Sequence, residues 1–221
     1  MTGRRNLMNP TCDACVGMYC GSGDFTNAPK NCPSLGVTKE ETIGRYGEEE
    51  LQKFAEAARV EAAGYCNQTR VEEIMEYARR CGYSKLGVAF CGGLKKEAAV
   101  FCTILRENGF TVISVCCKNG SVCKEPIGLR PEELVDKGEK YEPMCNPAGQ
   151  AYFLDESGAE LNIILGLCVG HDTTFIKHSQ APVTVLAVKD RVTGHNPLAP
   201  IYCAEGYYRK RFFPHEFLCE K

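Results

Sequence analysis

Hydrophobic and polar positions follow two different periods along this chain. In the first third the period is helical. Thr38 with Glu41 reads as a capping box, and Leu51, Phe54, Ala55, Ala58 and Ala62 then recur at helical spacing. Thr69 with Glu72 opens a second helix, whose apolar face is Val71, Ile74, Met75, Ala78 and Cys81 and whose end is marked by Gly82. That placement makes Cys81 an expected core thiol. From Leu86 the pattern alternates short apolar runs with amphipathic stretches. Strands are predicted over 86–91, 110–116, 161–167 and 183–188. Helices are predicted over 94–108, over 145–156 behind a Cys-Asn-Pro opening, and around 171–179. In the first of these, Leu94, Ala98, Phe101, Cys102 and Leu105 face inward and Gly109 closes the helix; residues 117–144 are irregular. Strand–helix alternation implies right-handed crossovers and a mainly parallel sheet, an α/β Rossmann-like body with flanking helices.

Residues 1–37 fit neither period. They are rich in Gly, Pro, Asn and Cys, and a segment of that kind is held by something other than an apolar core. The spacing Cys12-x2-Cys15-x4-Cys20-x11-Cys32, with Pro33 behind it, offers four thiolates. Such a set suits a [4Fe–4S] cluster, with tetrahedral zinc the alternative. Zinc ribbons pair two CxxC knuckles and this chain has one, which favours iron–sulfur. The expected organisation is therefore a cysteine-rich metal segment over 1–37 and, over 38–221, a helical lead-in and α/β body.

Composition sharpens one point and closes others. The chain holds 15 cysteines in 221 residues. A secreted disulfide scaffold is shorter and carries a signal sequence. Here two arginines near the start have no apolar segment behind them, so the expected compartment is cytoplasmic. There the cysteines point to metal or redox chemistry. A net charge of −2 without a basic stripe argues against nucleic acid, and no apolar window is long enough to span a membrane. The last stretch, 189–221, has aromatics and the run Arg209, Lys210, Arg211 beside Phe212 and Phe213. It reads as a solvated tail folded over the body rather than a partner patch.

Three predicted strands run into cysteine. Cys91 follows the first, Cys116 and Cys117 end the second, and Cys168 follows the third, with Gly170, His171 and Asp172 directly after it. Ligands of open α/β sheets bind in the crevice beyond the carboxyl ends of the strands. Gly92 and Gly93 let backbone approach a ligand there, as does Gly170. Cys145 opens a helix and Cys168 precedes one, so both thiols are expected to feel the positive end of a helix dipole. A second metal site from Cys91, Cys116, Cys117, Cys145 and Cys168 is the expectation. Small core thiols are the alternative, least of all at Cys168. His171 is read as acid–base group, ligand or structural histidine, and Asp172 as catalytic or as the cap of the next helix. Lys189, Asp190 and Arg191 follow the last strand and would hold an anion or offset cluster charge; the alternative is an Asp190–Arg191 surface pair.

The stretches FCGGL, SVCCKNG, MCNPAGQA and GLCVGHDTTFIKHSQAPVTVLAVKDRVTGHNPLAPIY, with the N-terminal CDAC, resemble a family of cysteine-rich prokaryotic proteins, domain of unknown function 1847. The resemblance spans nearly the whole chain and implies metal binding and life in anaerobes, without a reaction. The combined expectation is an iron–sulfur protein, a redox or sulfur-chemistry enzyme with two [4Fe–4S] clusters, a small-molecule substrate and an electron-donor protein as partner. An electron carrier or accessory protein, or a zinc protein with core cysteines, are the rivals. No P-loop and no GxGxxG after a strand supports a nucleotide cofactor.

Overall fold

The computed structural model describes residues 9–214. The chain divides into two compact units, Met1–Ala57 and Ala58–Lys221. The expected boundary after residue 37 falls inside the first.

In the first unit regular structure is brief. A single helical turn, α1 (Tyr19–Ser22), stands among 3-10 turns and loops, and α2 (Lys39–Ile43) follows. Among residues 9–37 no described side chain is buried, so no apolar core orders this segment. The Thr38–Glu41 capping box forms as expected. α3 (Glu48–Gly64) takes up the helical stretch, but its buried positions are Val60 and Gly64. Phe54, expected to point inward, is 61% exposed and stacks on Tyr46 instead. The sequence misleads here because alanines, with little area to bury, mark a buried stripe only weakly.

The second unit holds the sheet. α4 (Arg70–Arg80) starts in the Thr69–Glu72 capping box. It ends with Cys81 as the half-buried C-cap and Gly82 at φ +73° just beyond. Cys81 is thus a cap residue rather than a core thiol. Then follow β1 (Lys85–Phe90), α5 (Lys95–Glu107), β2 (Thr111–Cys116), α6 (Pro147–Glu156), β3 (Leu161–Leu167), α7 (His171–His178) and β4 (Val183–Val188). All four strands are parallel, in the order β2-β1-β3-β4. Every residue of β3 is buried, Asn162 included, as a nearly unbroken apolar run requires of a central strand covered on both faces.

Two clusters sandwich the sheet. One sets Ile74 of α4 and Phe101, Cys102 and Leu105 of α5 against Leu86, Val88 and Ile163 of the strands. The other brings Ala151 and Leu154 of α6 and Phe175 of α7 against Ala89, Ile164 and Leu167, and Cys117 belongs to it. Cys102 is a packing residue, as its helical position predicts. Beyond β4 the described residues form only α8 (Ala199–Tyr202) and α9 (Arg209–Phe212), and no described side chain from 191 onward is buried. The aromatics there stack on one another, Tyr208 on Phe212, with Arg211 over the Tyr208 ring. No helix among the described residues is long and apolar enough to cross a membrane.

Candidate functional site

Strand order decides where the site lies. After β1 the chain moves outward to β2, then returns across β1 to place β3 on its other side. A reversal of that kind opens a crevice at the carboxyl ends of β1 and β3. The ladder continues one rung past the strands on both sides of β1. The Cys91 N–H donates to Leu165 O at 3.1 Å, and the Cys117 N–H donates to Phe90 O at 2.9 Å. Both cysteines are therefore fixed by the sheet itself.

Three amides secure the neighbouring loops. Gln150, fully buried on α6, donates from Nε2 to Phe90 O (3.1 Å) and Val115 O (2.7 Å), clamping the ends of β1 and β2. Asn146 is the N-cap of α6, accepting from the Gly149 N–H at 2.9 Å, and its own N–H donates to Cys117 O at 2.7 Å. Asn119 donates to the Cys116 and Asn146 carbonyls and accepts from Asn146 Nδ2, all at 2.9–3.0 Å. This paired arrangement fastens the turn after β2 to the start of α6 and brings Cys145 beside Cys117.

The result is a chain of three thiols. Cys117 is in side-chain hydrogen-bond contact with both Cys91 and Cys145, and its sulfur accepts from the Gly92 N–H at 3.3 Å. A thiol has one proton, so it serves one neighbour at a time. Contact with the Cys117 thiol, helped by the Gly93 N–H and the Lys189 ammonium, lowers the Cys91 thiol to about 5. When the Cys117 proton turns to Cys145 instead, that contact, with Lys118 and His171 beside it, lowers Cys145 to about 5. Cys117 moves the opposite way. It keeps its proton, held up by the two flanking sulfurs and by burial. The expected helix-dipole effect on Cys145 is thus carried instead by a neighbouring thiol and cations.

Around this chain the other residues divide. The Arg191 guanidinium donates to Cys168 Sγ at 3.3 Å and also feels the charges of Cys91 and Cys145. Cys168 is therefore engaged by Arg191. Cys116 Sγ lies 3.5 Å from where a Cβ on Gly92 would stand, and the corresponding point on Gly93 is 3.7 Å from Lys189 Nζ and 3.9 Å from Cys91 Sγ. Both glycines are exposed, so that side is open. The two carboxylates are occupied elsewhere. Asp172 accepts from the Thr173 N–H at 2.8 Å within the first turn of α7, whose N-cap is Gly170 at φ +84°. Asp172 is not that helix's cap. Asp190 accepts from the Val192 and Thr193 N–H groups, and its own N–H donates to His195 Nδ1, so it builds the turn after β4 and does not pair with Arg191. Sequence reasoning misses Lys118 and Gln150 as site residues. Lys118 carries a signal, standing next to the Cys-Cys pair; Gln150 carries none, because only the fold brings α6 over the strand ends.

The N-terminal cysteines form a separate place. Asn31 donates to Asn9 O and Thr11 Oγ1, both at 3.0 Å, closing the segment on itself. Cys12, Cys15, Cys20 and Cys32 all line one cavity of about 190 Å³, with Met18, Tyr19 and the two prolines Pro29 and Pro33. Among the described residues, no three of His, Cys, Asp or Glu close on a single point tightly enough to hold one metal ion.

Comparison with known proteins agrees with the family resemblance. The model of a family described as "Protein of unknown function (DUF1847)" matches residues 32–186, a segment containing Cys91, Cys117, Cys145 and Cys168. An uncharacterized protein of Methanocaldococcus jannaschii is 43% identical over 201 residues, covering 90% of this chain and 96% of the relative.

Proposed function

We propose, for a chain that belongs to the DUF1847 family, an iron–sulfur protein that performs redox or sulfur chemistry on the thiols at the carboxyl edge of its sheet. The observation that carries this reading is the Cys91–Cys117–Cys145 chain under Lys118, Lys189, His171 and Arg191. Reactive thiols sit in electropositive, partly exposed surroundings, whereas structural ones are buried and unassisted. Cys91 and Cys145 are half-buried and Gly92 and Gly93 beside Cys91 are exposed, so the edge is open to a small molecule.

The four N-terminal cysteines suit a soft metal centre, because thiolates select zinc and iron–sulfur clusters. Four sulfurs around one zinc stand on a tetrahedron with edges of about 3.8 Å, given Zn–S near ~2.3 Å. The four cysteines line one cavity of about 190 Å³, and Cys12, Cys15, Cys20 and Cys32 would be the ligands of a [4Fe–4S] cluster there. Such a cluster supplies one-electron storage and transfer. The strand-end thiols fit a second cluster poorly. Cys117 is occupied with Cys91 and Cys145 and Cys168 accepts from Arg191, and among the described residues no three of these four sulfurs converge on one point, so no step is assigned to a cluster there.

The chain's own residues do the following. The Cys117 thiol, with Lys189 and Lys118 beside it, favours the thiolate forms of Cys91 and Cys145, Cys117 keeps a proton between them, and Arg191 adds positive charge for an anionic ligand. Iron, sulfide and zinc analysis of anaerobically purified protein tests the reading. The expected result is about four irons and four sulfides per chain, lost in Cys12→Ser and kept in Cys168→Ser. Stoichiometric zinc without sulfide would overturn the cluster.

A further inference from the structure

Cys91 and Cys117 are neighbours across two parallel strands. β1 and β2 pair Phe90 with Cys116, and the next rung is intact through the Cys117 N–H to Phe90 O bond. Adjacent strands lie about 4.8 Å apart, inside the Cα separation of roughly 4.4–6.8 Å that a disulfide bridges. Their sulfurs already touch, and a third thiol touches Cys117. Two thiols suffice for a disulfide; the third needs a role of its own.

We infer that this edge exchanges thiols with a small anionic disulfide, with Cys91 attacking, Cys117 resolving and Cys145 accepting the proton. The inference rests on the reading above of the strand edge as a sulfur-chemistry centre. Cys91 is the attacking group because it lies on the open side, beside Gly92 and Gly93. Cys117 is buried and unreachable by a substrate, yet in contact with Cys91, which is what a resolving thiol requires. Cys145 stands on the far side of Cys117, where Lys118 is tethered to the Pro143 carbonyl.

The chemistry balances. The Cys91 thiolate attacks one sulfur of R–S–S–R, forming a Cys91–S–S–R bond and releasing one RS⁻. The Cys117 proton passes to the Cys145 thiolate. The Cys117 sulfur then attacks Cys91 Sγ, the Cys91–SR bond breaks, and a second RS⁻ leaves. The substrate gains two electrons, Cys91 and Cys117 become a disulfide, and Cys145 ends as a thiol. Total charge is unchanged.

Charge selects the substrate. Lys118, Lys189 and Arg191 surround the thiols, while Asp172 and Asp190, the nearby carboxylates, keep their charge but are turned onto backbone N–H groups of their own turns. A disulfide with carboxylate ends is attracted and one with ammonium ends repelled.

Two probes of similar size and opposite charge test this, dithiodipropionate and cystamine, each added to the full chain purified anaerobically with its metal. Peptide mapping should find a Cys91–Cys117 disulfide and two released thiols per chain with dithiodipropionate. Cystamine should react at least about tenfold more slowly. Cys117→Ala should stop at a mixed disulfide on Cys91, with Cys117→Ser as a second variant should the first lose its fold, and Cys91→Ala should form neither. Equal rates for the two probes would overturn the inference, as would a trapped adduct on another cysteine while Cys91 stays free. Iron analysis of Cys91→Ala separates the two readings. Loss of iron there makes the strand-end thiols ligands and ends the exchange, while the iron–sulfur reading stands. Wild-type protein lacking iron but forming the disulfide ends the cluster and leaves the exchange.

Discussion

At the scale of single residues, the cysteines differ by what surrounds them more than by where they stand in sequence. Cys102 faces the core from mid-helix, and its thiol is pushed up by burial. Cys91 is pulled down to about 5 by the Cys117 thiol, the Gly93 N–H and Lys189. A depressed thiol is mostly thiolate at every pH above its midpoint. Alkylation of Cys91 by iodoacetamide, followed by peptide mass spectrometry, should therefore rise through a midpoint near 5 and stay flat across neutral pH. Lys189→Met removes a charge that favours the thiolate, so the midpoint should move up. A wild-type rate still climbing across neutral pH would show that Cys91 is an ordinary thiol. The chemistry-bearing residues themselves are legible in the sequence, since cysteine, glycine and histidine at strand ends stand out from an apolar run. Their partners are not. Asp172 and Asp190 look available and are held by turns, because a short carboxylate beside free N–H groups takes them first.

Among the elements, β3 carries the most. It adopts its predicted limits, Leu161–Leu167, because a nearly unbroken apolar run satisfies a strand covered on both faces. The irregularity inside it is hidden from the sequence. Gly166 sits at φ +69°, where the pairing with β4 shifts, and a Cβ there would stand 2.1 Å from Leu94 Cδ1 and 3.7 Å from Lys189 Nζ. Gly166→Ala should cost more than about 1 kcal/mol in urea denaturation, from the left-handed backbone alone. It should also disturb Leu94 and Lys189, and so raise the Cys91 midpoint. Unchanged stability would mean that the bend is not required. Helix starts are more readable than helix faces. Both predicted capping boxes form, since they depend on residues three apart, whereas the buried face of α3 depends on what packs against it.

For the molecule as a whole, order has two sources. The sheet unit has a core on each face of β1 and β3. The described part of residues 9–37 has no buried side chain and converges on cysteines around one cavity. If these cysteines hold the proposed cluster, removing it with a chelator under anaerobic conditions should expose this segment to proteolysis while the strands from Lys85 to Val188 stay protected, because metal-binding energy would there be folding energy. Equal protection before and after chelation would show that the segment holds itself. The sequence by itself determined the local features: strand limits, capping boxes, the parallel α/β class and the delivery of cysteines to one sheet edge. These follow from side-chain period and from contacts within a few residues. Only the tertiary structure decided which thiols meet. Cys91 and Cys117 are joined by strand order, Cys145 by an asparagine pair across 27 positions, and Cys168 is drawn to Arg191 from beyond the next strand. Contacts between residues far apart in sequence are set by register, turn and crossover together, and no local pattern encodes that combination.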